Sequence, residues 1–129
     1  MNADERRYEL DRLTDKIIGA AYTVSNTLGC GFLEKVYENP LAHELRKQGL
    51  KVEPQRPIQV KYDNVIVGDY TADLLVDESV IVEIKAVKAF DDIHSAQCMN
   101  YLRATGLSVC ILLNFGTPKV GIKRIVRGF

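Results

Sequence analysis

The sequence predicts an α/β domain of two or three layers, in which helices interrupt a mixed sheet. Three observations carry this. A stripe of helical period runs through the first thirty residues, strand-like segments follow in pairs, and a nearly all-apolar run, Leu107 to Leu113, fits a central strand covered on both faces. The 129 residues, 47% hydrophobic and 26% charged, suit one domain over 1–129 that buries a core without staples.

Leu10, Leu13, Ile17, Ala21, Val24 and Leu28 recur at intervals of three and four, which is one apolar face of a helix. Gly29, Cys30 and Gly31 break it. A second helix is expected to place Leu33, Val36, Tyr37, Leu41 and Leu45 on one side and to stop near Gly49. Pro40 falls inside it and either kinks it or starts a new turn. Ile58, Val60 and Tyr62 alternate with polar residues, Asp63-Asn64 makes a turn, and Val65 to Val76 forms a second strand bent at Gly68. Asp77 to Ser79 turns the chain into a third strand, Val80 to Val87. Asp91 or Asp92 caps a helix closed by Gly106. After the central strand, Asn114 to Pro118 leads to a last strand at about residues 120–126.

Charge and cysteine content narrow the function classes. Seventeen basic and seventeen acidic side chains give a formal net charge of zero, which argues against tight, indiscriminate nucleic-acid binding. A local basic stripe remains compatible with it: Lys119, Lys123, Arg124 and Arg127 make the last strand basic, which suits phosphates or a lysine-protected edge equally. Cys30, Cys98 and Cys110 are odd in number and lack CxxC spacing, so buried free thiols in a reducing compartment are expected. The charged start is unlike a signal peptide, and no apolar stretch spans a bilayer, so a soluble cytoplasmic protein is expected, with no membrane partner. His43 and His94 are too isolated to form a catalytic pair and read as surface or cap residues.

The chemistry concentrates in Tyr70-Thr71-Ala72-Asp73 and Val82-Glu83-Ile84-Lys85. On the third strand, alternation puts Val80, Val82, Ile84 and Ala86 on one face and Ile81, Glu83, Lys85 and Val87 on the other. If the turn is the three residues Asp77 to Ser79, Asp73 falls directly opposite Glu83, with Cβ atoms about 4.5–5.5 Å apart. A two-residue turn throws Asp73 to the other face and dismantles the arrangement. Two opposed carboxylates repel. A hard divalent cation resolves that repulsion, and Lys85 beside them can hold a water. A salt bridge between Lys85 and one carboxylate on a solvated face is the other reading of the same spacing. Gln97 and Tyr101, four apart, share a face of the next helix, and Glu34 opens the second helix just after the glycine turn.

Gly31-Phe32-Leu33-Glu34-Lys35-Val36-Tyr37 resembles the signature of the GxxExxY proteins, within the PD-(D/E)XK nuclease superfamily. The resemblance continues through Ala72 to Val76, Val82 to Ala86, Gln97 to Leu102 and Asn114-Phe115-Gly116. It implies a restriction-endonuclease-like αβββαβ core, a mixed central sheet flanked by helices, with an extra N-terminal helix. It further implies a magnesium or manganese site at Asp73 and Glu83, helped by the Ile84 carbonyl and completed by Glu34 directly or through water. Lys85 would position the nucleophile; Gln97 and Tyr101 look like the Q-x-x-x-Y element of RecB-like nucleases, which steadies the site and contacts nucleic acid. Ala72 replaces the proline of the superfamily name, and Thr71 stands where similar sequences often carry arginine.

The sequence thus reads as a metal-dependent phosphodiesterase acting on DNA or RNA. The rival class is an inactive nuclease-fold module that binds or scaffolds within a larger assembly. A chain this short has little room for its own substrate-gripping domain, and a homodimer or partner protein would supply that surface.

Overall fold

The computed structural model describes residues 1–128. Its elements are α1 (Ala3–Leu28), α2 (Glu34–Lys47), β1 (Val52–Tyr62), β2 (Val65–Val76), β3 (Val80–Lys85), α3 (Asp92–Thr105), β4 (Val109–Asn114) and β5 (Gly121–Val126). One five-stranded sheet holds the strands in the order β1-β2-β3-β4-β5, antiparallel except for the parallel pair β3–β4. α3 supplies the crossover that a parallel pair requires.

Two cores flank the sheet, so the layers are three. On one side α1 and α2 bury Ile17, Ala21, Tyr37, Leu41 and Leu45 against Val80, Val82, Ile84 and Ile111. On the other, α3 sets Cys98, Tyr101 and Leu102 against Ile81, Cys110, Leu112 and Ile125. Every residue of β4 is buried, which accounts for its unbroken apolar sequence.

Local chemistry fixes the element ends. The Asn2 side chain accepts from Glu5 N and starts α1, which Gly29 ends at φ 72°. Asp91 is the N-cap of α3, and His94 Nδ1 accepts from Asp91 N in return, so His94 has the cap role and His43 is exposed. Gly106, at φ 76°, closes α3. Cys98 and Cys110 are buried, but Cys30 is exposed in the glycine turn, contrary to the expectation of three buried thiols.

Several expectations shift. α2 runs unbroken through Pro40, and its buried face is Tyr37, Glu38, Leu41, Ala42 and Leu45; Leu33 is its N-cap and Leu33 and Val36 are exposed. The reason lies in Tyr37. Its hydroxyl donates to Gly29 O (2.7 Å), and its ring stacks on Phe115 at 4.5 Å, which rotates the first turn of α2 so that Leu33 and Val36 face outward. β3 ends at Lys85 instead of Val87. Asn114 takes over there: its Oδ1 accepts from Val87 N (3.0 Å) and its Nδ2 donates to Val87 O (2.9 Å), so a side chain replaces the ladder.

The turn after β2 has the expected three residues. Val76 pairs with Val80, and Asp77 and Glu78 adopt φ near 50°. β2 pairs with β3 only from Leu74 to Val76, whereas β1 and β2 pair from Val52↔Val76 to Tyr62↔Val65, interrupted at Gln55 and Asp73 and with one register shift at Val60/Lys61, next to Gly68. Residues 56–72 therefore form a two-stranded arm beyond β3. Its packing changes phase at the base: Leu74 belongs to the α1/α2 core and Ala72 to the α3 core. Across the pair, Gln55 has φ 52°, and Val52 and Ile58 divide between the two cores in the same way. Strong twist is the habit of two-stranded ribbons. β1, carrying Pro54 and Pro57, is one edge of the sheet, and β5 is the other.

Two glycines give opposite expectations. A Cβ on Gly116 would meet the backbone of Val87 and Ala86, which no rotamer change relieves, whereas one on Gly19, exposed within α1, meets nothing within 4 Å. Gly116→Ala is expected to cost about 2–3 kcal/mol of stability in urea unfolding, and Gly19→Ala to add about 0.5–1 kcal/mol.

Candidate active site

The pairs Leu74↔Val82 and Leu75↔Ile81 set Asp73 across from Glu83, at the point where the β2–β3 ladder stops. Both side chains have the parity of Leu75 and Ile81, which lie in the α3-side core. The carboxylates take up two backbone donors at this point. Glu83 Oε2 accepts from Asp73 N and Asp73 Oδ2 accepts from Ile84 N, each at 2.7 Å. Each acid is thus fixed by the backbone that carries or neighbours the other, through one oxygen of its carboxylate.

Burial and like charge raise both acids. Glu83, 3% exposed, is pushed up to about 8, first by burial and then by Asp73, against the opposing pull of the Asp73 N–H and Lys85. Asp73 is also raised, chiefly by burial, with the Ile84 N–H lowering it and Glu38 raising it. Lys85 shares the strand parity of Glu83, is half-buried, and favours the ionised form of both acids.

The second helix contributes differently from expectation. Glu34 is exposed at the start of α2 and acts on Asp73 only as the weakest of five influences. Glu38, one turn further on, is buried, and its charge acts on both Asp73 and Glu83. Gln55 Nε2 and Lys35 Nζ donate to it, and Gln55 lies in β1 at the gap in β1–β2 pairing that also leaves out Asp73. Sequence reasoning passed over Glu38 because the glycine-turn signature ends at Tyr37. The available signal was helical spacing, since Glu38 precedes buried Leu41 by three and Leu45 by seven.

From α3, Gln97 Nε2 donates to the Tyr101 hydroxyl at 2.9 Å. Burial pushes the Tyr101 phenol up to about 12, and the Glu83 and Asp73 charges add to the effect, so the Tyr101 hydroxyl lies within electrostatic reach of both acids. Asp73, Glu83, Lys85, Gln97 and Tyr101 are therefore gathered at one place, with Glu38 reaching it from α2 and Glu34 outside. A cavity of about 670 Å³ lies elsewhere, beside Arg12, Lys16 and the Asp77–Ser79 turn at the far end of the hairpin, and includes none of these residues.

The donor set suits a hard cation. No group of three or more His, Cys, Asp and Glu side chains forms a ready cage among the described residues. Magnesium asks for less, taking one or two carboxylates and keeping several waters. Two adjacent raised carboxylates with a backbone carbonyl at Ile84 meet that demand.

The chain belongs to the PD-(D/E)XK nuclease superfamily, whose family model matches residues 11–125. Its αβββαβ core is of the restriction-endonuclease-like kind, with α1 added before it and β5 after it. Among solved structures it is similar to an alkaline exonuclease, LHK-Exo, from Laribacter hongkongensis, with a TM-score of 0.51 and 17% identity over 67% of this chain and 52% of that one. It is also similar to SSO0001, with a TM-score of 0.52 and 17% identity over 74% and 51%. The chain spans about half the length of these structures, and at such identity the likeness concerns the fold alone. No curated protein matches it in sequence. No helix among the described residues is long and apolar enough to cross a membrane.

The raised acid at Glu83 has a consequence for stability. In the folded chain it keeps its proton up to about pH 8, whereas unfolded it ionises near 4.5. Between these values the folded state binds more protons than the unfolded state, so this contribution to stability falls as pH rises. Glu83→Gln should remove that slope and gain on the parent, without added metal, by on the order of a few kcal/mol between pH 4.5 and 8. Urea unfolding across that range checks it; parallel curves would refute it.

Proposed function

We propose that the protein is a divalent-metal-dependent nuclease that hydrolyses a phosphodiester bond of DNA or RNA. What carries the reading is the pair of opposed, half-buried to buried carboxylates at the end of a β-ladder, with Lys85 on the same strand face. Asp73, Glu83 and the Ile84 carbonyl are the groups that would hold magnesium or manganese. Glu38 adds negative potential from α2, while Glu34, exposed at the start of that helix, would act only through an intervening water. A bound divalent ion supplies a water of lowered pKa and positive charge for the phosphoryl oxygens.

The remaining work falls to the chain. The backbone bonds of Asp73 and Glu83 hold their free oxygens in place before substrate arrives. Lys85, a cation beside them, orients the attacking water and balances charge that develops on the phosphate. Tyr101 keeps its proton at all ordinary pH values and can donate it to a phosphate oxygen, while Gln97 fixes the phenol's direction. A net charge of zero gives little long-range grip on a polyanion, so a second copy or a partner protein is part of the proposal.

Calorimetry with magnesium or manganese, beside cleavage assays on single- and double-stranded DNA and RNA, tests this. Asp73→Asn is expected to abolish metal binding and cleavage together. Lys85→Ala is expected to leave metal affinity largely intact and lower turnover by about 10²–10³-fold. Glu38→Gln is expected to weaken metal binding by about tenfold, as loss of one nearby negative charge should. A parent chain that binds no metal at millimolar concentration, with Asp73→Asn unchanged from it, would replace the enzyme by a non-catalytic scaffold.

A further inference from the structure

The β1–β2 arm leaves the sheet at Asp73 and carries an exposed ring near its base. Tyr70 is 52% exposed although its ring is confined on two sides. One side is Tyr101, with ring centroids 6.0 Å apart and planes tilted by 51°. The other is Gly68, where a built Cβ would lie 3.0 Å from Tyr70 Cε2. Glycine at 68 therefore leaves the space that the ring occupies. Tyr70 lies three positions along β2 from Asp73, roughly 10 Å of strand, and the Tyr101 against which it packs is within electrostatic reach of Asp73 and Glu83.

We propose that Tyr70 is a stacking platform for an unpaired base of single-stranded nucleic acid next to the scissile phosphate. The proposal rests on the nuclease reading of the site. Two observations favour a base over a phosphate as the ligand of the arm. Residues 56–72 carry Arg56 and Lys61 against Asp63 and Asp69, so the arm is neutral, as is the whole chain. Affinity from phosphate neutralisation is correspondingly small, and stacking on an aromatic face becomes the main available source. A duplex, whose bases are already stacked, presents no free face to the ring. Tyr62, exposed at the tip, has no such confinement among the described residues.

The test uses the full chain with EDTA, so that binding is read without cleavage, and a fluorescent oligothymidylate as probe. The chain contains no tryptophan, so Tyr70→Trp places a single reporter at the platform. Its emission should be quenched by the oligonucleotide and not by a duplex of equal length. Tyr70→Ala should weaken single-strand binding about tenfold or more, and Tyr70→Phe and Tyr70→Trp should restore it. Gly68→Ala, which keeps the ring and fills its seat, should lose part of the affinity. With manganese, Tyr70→Ala should raise KM for single strands with little change in kcat. Equal losses from Tyr70→Ala and Tyr62→Ala, or a Tyr70→Ala chain that binds as the parent does, would overturn the platform while leaving the nuclease reading standing. A parent that neither binds the oligonucleotide nor cleaves any substrate would overturn both.

Discussion

The structure turns on a reciprocal pair of bonds at the place where β2 and β3 part. Asp73 and Glu83 each accept a backbone N–H, from Ile84 and from Asp73 itself. Regular pairing of β2 lapses here on both sides, toward Gln55 and toward Glu83. Ending the β2–β3 ladder there releases the β1–β2 arm, and the acids take up the donors that the ending leaves. The same two bonds fix the carboxylates beside each other, an arrangement that like charges alone would push apart. Fold and site are thus one construction: the interruption of the sheet creates the donors, and the donors hold the acids.

Around that point the molecule is organised by support. The glycine turn and Tyr37 set the angle of α2, which turns Glu38 inward. Asn114, at the end of β4, grips Val87 and guides the chain from β3 toward α3. α3 in turn delivers Gln97 and Tyr101. The signature residues Gly31 and Tyr37 and the Asn114-Phe115-Gly116 segment act in the fold through packing and turn geometry: Phe115 is the ring on which Tyr37 stacks. Their place in the pattern is explained by position as much as by chemistry.

Much of this was legible in the sequence, for reasons that can be named. Strand alternation and a turn of fixed length determine register, so the opposition of Asp73 and Glu83 followed from counting. Helix limits followed from glycines at positive φ and an acidic cap. What could not be read depended on rotation about a helix axis and on twist. The apolar pattern of α2 placed Leu33 and Val36 inward, but the Tyr37 latch, made with Gly29 and Phe115, turns them out and brings Glu38 in. The early end of β3 depended on an amide side chain twenty-seven residues away. The phase change at Gln55 and Asp73 has no mark in hydrophobic periodicity, because Gln55 is an ordinary strand residue in an unusual conformation.

The two edges of the sheet carry a further consequence. Proline has no N–H to offer, and Pro54 and Pro57 both lie on the outermost strand β1. At the other boundary, β5 presents exposed Lys123 and Arg124, the latter tied to Asp11 at 2.6 Å. A foreign strand therefore meets missing donors on one side and charge on the other. Strand-by-strand growth into fibrils is discouraged at both margins, even though the arm displays Val65, Ile66 and Val67 openly to solvent.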